Sequence, residues 1–376
     1  MRYKKLSICS YIFISSFVAI ESYGQVEVIN NPEKERLQDQ LESPLSFELV
    51  QIFGSDFPDD SAVLSGVNSI NGVKTDSSGN LYILDYGAKM LVKLSPNGEV
   101  LWKMDKRGRG PGDIETPLGI AVNDEMIVIA NIYGTRLDVI STEGDYLESI
   151  STEEIHGYGM VLKGFLDNRY LVMVDGIRGK AGYRIVVLDA LKSFKLVSDF
   201  HSEVDNDISI PEDETLVSSA TITGDKIVVG GVWSYSYLYF DMFGNLEKKI
   251  NREFSRYMKP GIYESGSGNH ITFYGEAQGL YSVGGTYLLG YINWSTTIDD
   301  TDKLAKQHYN RNFQKLGLNT VLDLFSENGE LLYTLENESI IPEIGMLMHS
   351  DQEGYLYTAV NRPYTMIKKY KIHFVE

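Results

Sequence analysis

The chain of 376 residues has one cysteine, Cys9, and that residue sits in its first dozen positions. A disulfide framework, a cysteine-ligated metal centre and thiol catalysis are therefore all excluded for the body of the protein. Histidine is scarce at six, and His156, His201, His270, His308, His349 and His373 form no HxH or HxxxH pair, so spacing reveals no zinc site. Basic charge is also short, with 34 Lys and Arg against 52 Asp and Glu. A surface with that balance repels nucleic acid and anionic lipid, and no basic run in the sequence offsets it. No G-x-S-x-G elbow is present, and the acidic runs Asp205–Glu214 and Asp299–Asp302 lack the glycine and spacing of a calcium hand.

What is abundant points to β structure. Apolar residues make up 43 %, enough for a large core, with 35 Gly for tight turns and 25 Tyr suited to half-buried pleated surfaces. Arg2, Lys4 and Lys5 precede the uncharged apolar stretch Leu6–Ile20, and Ser22-Tyr23-Gly24 follows with small residues at the ends. This n/h/c pattern predicts a signal peptide over 1–24, cut before Gln25. The stretch is too short to span a bilayer core about 30 Å thick, so the mature chain is expected to have no transmembrane segment. Cys9 lies near the start of the apolar run rather than after it, which argues against lipid attachment.

Internal repetition carries the fold. The unit is clearest at residues 69–104: an apolar segment to Asp76, the Ser77-Ser78-Gly79-Asn80 turn, and the strand Leu81–Asp85. A third strand, Met90–Ser95, then leads through the Pro96-Asn97-Gly98 turn to a fourth, Val100–Met104. Four short antiparallel strands joined by tight turns make one propeller blade. First-turn landmarks recur at Gly79, Asp124, Asn168, Asp225, Gly285 and Gly354, about one blade apart early and stretched later by insertions. Six landmarks predict an all-β, six-bladed β-propeller over 45–376, preceded by a lead-in segment, 25–44. The last blade lacks a fourth strand before the chain stops, and Ser46–Ile52 has the character to supply it and close the ring. Insertions fall at about 251–277 and 295–318. Within the second, Leu304, Ala305, Tyr309, Phe313 and Leu316 share one face and predict a short helix over Asp299–Leu316.

Asp76–Asp85, the Ser95-Pro96-Asn97-Gly98-Glu99 turn and the loop Gly108-Arg109-Gly110-Pro111-Gly112-Asp113 resemble the six-bladed propellers common among Bacteroidetes exports, relatives of the NHL-repeat and TolB-like propellers. The resemblance is strong over about 66–150 and architectural beyond. It implies the fold and a periplasmic, cell-surface or secreted setting. It implies no single activity, because such propellers include binding platforms, lyases and lactonases. The amidating lyases of this kind need histidine ligands and a disulfide framework, which the composition does not provide.

Two constellations are candidates for function. Asp85, Asn131, Asp175 and Asn361 each end the second strand of a blade, and their oxygens could converge on Ca²⁺ or another divalent cation. Such an ion would polarise a carbonyl or activate a water in a lactonase-like hydrolase or lyase. The alternative is that each caps its own turn by accepting backbone N–H bonds, and even repetition favours that structural duty. Trp233, Tyr235, Tyr291 and Trp294 follow second strands and could stack on a sugar or anchor a peptide, or equally fill the space between blades. The Gly108–Asp113 loop is followed by the strand-like Pro117–Val122, not a helix, so it reads as a blade linker and not a phosphate cradle. With catalytic spacing missing, the expected function is that of a monomeric, exported binding or scaffold propeller, holding a protein, peptide or glycan with its rim loops and no cofactor.

Overall fold

Leu81–Asp85 and Met90–Leu94 are buried along their whole length, whereas Val100–Met104 alternates between exposed and half-buried. This gradient is what the sequence of each unit dictates: two near-continuous apolar strands that must be covered on both faces, then an amphipathic one that borders water. The structure is a computed structural model and describes residues 26–33, 45–54, 64, 67, 69–155, 160–177, 180, 182–202, 219–231, 234–257, 261–265, 268–272, 279–296, 298–300, 302–303, 306, 318–337, 344–360 and 365–374. The signal segment 1–24 and most of the helix expected at Asp299–Leu316 lie outside these, although residues 302, 303 and 306 are helical.

Two strands precede the first blade, β1 (Glu27–Asn31) and β2 (Leu45–Gly54). Blade one is β3 (Ile70–Thr75), β4 (Leu81–Asp85), β5 (Met90–Leu94) and β6 (Val100–Met104). Blade two is β7 (Gly119–Val122), β8 (Met126–Asn131), β9 (Arg136–Ser141) and β10 (Tyr146–Ser151). Blade three is β11 (Val161–Leu166), β12 (Tyr170–Gly176), β13 (Tyr183–Asp189) and β14 (Lys195–His201). Blade four is β15 (Ala220–Thr223), β16 (Lys226–Gly230), β17 (Ser236–Phe240) and β18 (Leu246–Arg252). A separate hairpin, β19 (Gly261–Ser265) and β20 (Gly268–Thr272), follows. Blade five is β21 (Gly279–Val283), β22 (Tyr287–Ser295), β23 (Leu318–Phe325) and β24 (Leu331–Asn337). Blade six is β25 (Met346–Ser350), β26 (Tyr355–Val360) and β27 (Met366–Phe374).

Strand β2 completes blade six, running antiparallel to β27 from Leu45 opposite Phe374 to Gly54 opposite Met366. The two ends of the chain thus share one sheet, as the missing fourth strand predicted. The inner strands β3, β7, β11, β15, β21 and β25 each touch the next, and β25 touches β3, so the six blades close around a central axis. The molecule is a six-bladed β-propeller.

Its core is divided into six wedges, each between two successive blades. Val73, Ile83 and Val92 of blade one pack on Tyr357, Ala359 and Ile367 of blade six, and the other five junctions repeat the arrangement. A β-bulge interrupts the pairing of third with fourth strand in all six blades, which adds right-handed twist where the sheet must diverge from its neighbour. In blades one, two, four and five the glycine of the turn after the third strand packs on the blade before it. At Gly244, φ is 90° and an added Cβ would stand 2.5 Å from Phe200 of blade three, so glycine alone fits.

Besides the β19–β20 hairpin, β1 has no counterpart in the repeat. β1 lies parallel to β18 as a fifth strand on the edge of blade four. The buried Asn31 at its end donates to Gly329 O (2.9 Å) and accepts from Leu331 N (2.7 Å), tying this segment to blade five as well. Periodicity could not reveal it, since the strand is short and belongs to no blade in sequence.

Candidate functional site

Antiparallel alternation sends the connections out of two opposite ends of the ring. First-to-second and third-to-fourth strand turns leave at one end, and they are short, as at 76–80, 95–99 and 224–225. Second-to-third and blade-to-blade connections leave at the other end, where the long excursions 105–118, 202–219, 253–278 and 296–317 all occur. Long loops on a rigid scaffold are where binding surfaces are built.

Asp85, Asn131 and Asp175 end strands at this long-loop end. Asp85 is fully buried, and its carboxylate accepts from Ser69 N (2.7 Å) and Ala88 N. Asn131 Oδ1 accepts from three amides, Glu115 N, Thr116 N and Ile132 N, while its Nδ2 donates to Asp113 O and Asp138 Oδ2. Each side chain thus braces the loops of its own blade, and lone pairs so engaged have little left for an ion. Asp175 pairs in register with Arg184, whose guanidinium grips Asp199 at 2.8 and 2.6 Å. Asn361 lies outside the described residues. Among the described residues, no three His, Cys, Asp or Glu side chains cluster as metal ligands would. The Gly108–Asp113 loop folds back on its own aspartate, with Gly110 N donating to Asp113 Oδ2 (3.0 Å), and leads into β7. Its context is that of a blade linker.

Of the aromatic candidates, Trp233 lies outside the described residues. Tyr235 (4 % exposed) and Trp294 (9 %) sit in the wedge between blades four and five, and the half-buried Tyr291 ring packs against Gly279. Burial pushes the Tyr291 phenol up. Tyr235 stacks on Tyr257 at 5.8 Å and 17° and donates to Asp323 Oδ2 (2.6 Å). Asp323 also receives Thr334 Oγ1 (2.7 Å) and the Arg252 guanidinium (3.2 Å), an ion pair with neither side chain reaching solvent. Burial raises the Asp323 carboxyl above its ordinary value, and Arg252 and these hydrogen bonds only partly oppose that.

Beside this pair, the Arg256 guanidinium lies over Phe254 (4.7 Å) and Trp294 (4.8 Å) and bonds Glu336 (3.0 Å). Glu336 also accepts from Asn319 Nδ2 (3.1 Å). Three polar atoms of this group are buried with no partner: Arg256 Nε, Trp294 Nε1 and Asn319 Oδ1. Such a group is costly, about 1–3 kcal/mol for each orphan, and it lies at the foot of the excursions 253–278 and 296–317. Of this group the sequence singles out Tyr235 and Trp294, and the structure buries both between blades four and five. Sequence reasoning missed Arg252, Arg256, Asn319 and Asp323, which come from two segments far apart in the chain and carry no spacing signal.

The axis holds a second polar group, near the short-turn end. Lys74 Nζ donates to Lys163 O (2.9 Å), and Thr75 Oγ1 meets His349 Nε2 at 3.0 Å. Ser282 donates to Thr223 Oγ1 (2.9 Å), joining blades five and four. His349 belongs to β25, and His156 lies outside the described residues.

No protein-family model matches the chain, and no curated protein matches its sequence. Solved structures do. A member of the DUF4221 family from Bacteroides vulgatus superposes with a TM-score of 0.54 at 12 % identity, covering 88 % of this chain and 99 % of that one. A Bacteroides fragilis protein described as exported gives 0.53 at 10 % identity, covering 93 % and 99 %. At such identities the likeness is one of fold.

Proposed function

We propose that this propeller is an exported binding module that holds an extended peptide segment of another protein at its long-loop end, where blades four and five meet. The observation that carries the reading is the group of orphaned polar atoms there: Arg256 Nε, Trp294 Nε1 and Asn319 Oδ1. Two donors and one acceptor match what a peptide backbone offers, carbonyls to accept and an amide to donate. A partner that supplied these bonds would recover free energy the unliganded fold forgoes. A sugar could also hydrogen bond, but it would want an open ring face. Arg256 covers one face of Trp294, and Tyr257 covers one of Tyr235. The reading calls for no cofactor and no covalent step. An extracytoplasmic setting belongs to the same proposal, supported by the leader pattern of 1–24 and a cysteine-free mature chain. No helix among the described residues is long and apolar enough to cross a membrane.

A peptide-display selection on the purified protein, with Trp294→Phe as the comparison, tests this. Phenylalanine keeps an aromatic face and removes the pyrrole half of the indole with its orphaned N–H, so the fold should survive with a modestly changed midpoint while selected peptides bind about tenfold more weakly. Peptides that bind both forms equally would sink the proposal, as would a parallel glycan array that yields the only ligands.

A further inference from the structure

Across the ring from blades four and five, the same long-loop end carries two tyrosine rings in the open. The turns that join second to third strand in blades one and two, 86–89 and 132–135, present Tyr86 (38 % exposed) and Tyr133 (57 %). Tyr133 is the most exposed tyrosine among the described residues. Both are held alike at the backbone: Tyr86 N donates to Ser69 O (2.9 Å) and Tyr133 N to Thr116 O (3.2 Å). The blade-two turn is strained. Ile132, Tyr133 and Gly134 take φ values of 48°, 56° and 79°, three left-handed residues in succession. A β-branched side chain rarely adopts that conformation, and runs of it are disfavoured for L-residues. Of residues 86–89 in blade one only Lys89 is left-handed (φ 55°), so the architecture does not require the strain. Strain kept where the fold can do without it marks a loop under functional constraint.

Between the two turns runs the linker of blades one and two, which brings Arg109 to the rim beside Lys89. Lys89 Nζ donates to Glu115 O and lies over one face of Tyr86, 5.4 Å from its centroid. Arg109 donates from Nε to Glu115 Oε2 (2.6 Å), so both cations meet on one residue. The Arg109 carbonyl accepts from Arg136 Nη1 (2.6 Å), which ties the loop to the strand that follows the blade-two turn. Glu115 strengthens the hold of Arg109 on its proton, first by its hydrogen bond and then by its charge, and the nearby Tyr133 phenol adds to this. Asp113 of the same loop is neutralised by Lys106 at 2.5 Å. The Arg109 side chain stays 75 % exposed, and among the described residues its two terminal nitrogens have no partner.

The rings stand on turn tips and not along a strand edge, which is what an extended peptide would need. Open ring faces beside a guanidinium fork suit a ring-shaped anion. We propose that the long-loop rim of blades one and two is a second binding site, and that it takes an acidic oligosaccharide built of uronic acids. One pyranose stacks on Tyr133 while its carboxylate bridges the two terminal nitrogens of Arg109. A further sugar of the same chain rests on the free face of Tyr86, with Lys89 donating to its oxygens. Arg109 favours a carboxylate over a hydroxyl because its fork makes two parallel N–H···O bonds at once. On a protein with 52 acidic against 34 basic residues, cations with free donors decide where such an anion can settle. The site shares no residue with the peptide site across the ring and does not depend on it.

The experiment is calorimetric titration of the full protein with tetragalacturonate and tetramannuronate and with their methyl esters, on wild type, Arg109→Gln, Tyr133→Ala and Tyr133→Gly. At least one acid should bind saturably, and about tenfold or more weakly in every variant. Its ester, which lacks the charge, should bind wild type about tenfold or more weakly than the acid and should not respond to Arg109→Gln. Glycine accommodates the left-handed backbone, so Tyr133→Gly should hold or raise the unfolding midpoint while it loses the sugar. That pairing separates a missing ring from a damaged fold. A parallel titration uses hexaglutamate. Its binding with the same Arg109 dependence, where no saccharide binds, would make the anion a peptide side chain and overturn the sugar assignment. Equal affinity for acid and ester, affinity unchanged in the variants, or no saturable binding of either acid would overturn it as well.

Discussion

Asp323 shows how much one residue carries when its surroundings are dry. Its two oxygens are shared among Tyr235, Thr334 and Arg252, and neither member of the ion pair reaches solvent. Replacing both charges with apolar groups of matching shape would cost little, but removing one strands the other. Asp323→Asn should therefore cost about 3–5 kcal/mol in urea denaturation. A cost under about 1 kcal/mol would mean that water already screens Arg252. At this scale the sequence was partly legible. Asp85 and Asn131 stood out because they end strands at repeated positions, and the structure gives both several hydrogen bonds to nearby backbone. Lys74 and Asp323 did not stand out. Each is a charged residue in an apolar strand, and nothing local says whether such a side chain meets a partner, a channel or neither.

Between residues and the ring stand the strands. β2 and β1 both come from the N-terminal segment, yet they do different work. β2 contributes Leu45 and Phe53 to the wedges on either side of blade six and pairs with β27 over its length. β1 is mostly exposed, and only Asn31 is buried. Deleting residues 1–33 should leave a folded ring with a modestly lower midpoint. Deleting 1–54 should abolish the cooperative transition, because β27 would expose its edge and two wedges would open. Circular dichroism melts of the two truncations check this, and equal loss in both would mean that β1 closes the ring as much as β2. The closing role of β2 was readable in advance, since a six-fold repeat that ends one strand short must borrow that strand. The parallel docking of β1 was not, because it rests on Asn31 reaching Gly329 and Leu331, three hundred positions away in the chain.

Across the whole molecule, six wedges closed in a circle leave no blade that can come apart without exposing both its neighbours. Unfolding should therefore be one transition. Tryptophan emission, which draws on Trp102, Trp233 and Trp294, and far-ultraviolet dichroism should give the same urea midpoint. Separated midpoints would show that the blades with long insertions open first. Six turns at blade-like intervals, apolar strands between them and a missing last strand determined the propeller from sequence alone, because blade formation depends on local turn chemistry and on burial of adjacent strands. The polar groups at the two ends were decided only by closing the ring. Lys74 and Lys163 belong to blades one and three, and Arg252 and Asp323 to blades four and five. Their meeting depends on the curvature that six wedges sum to. That curvature comes from the packing of side chains across blade faces, a long-range term that no stretch of sequence expresses.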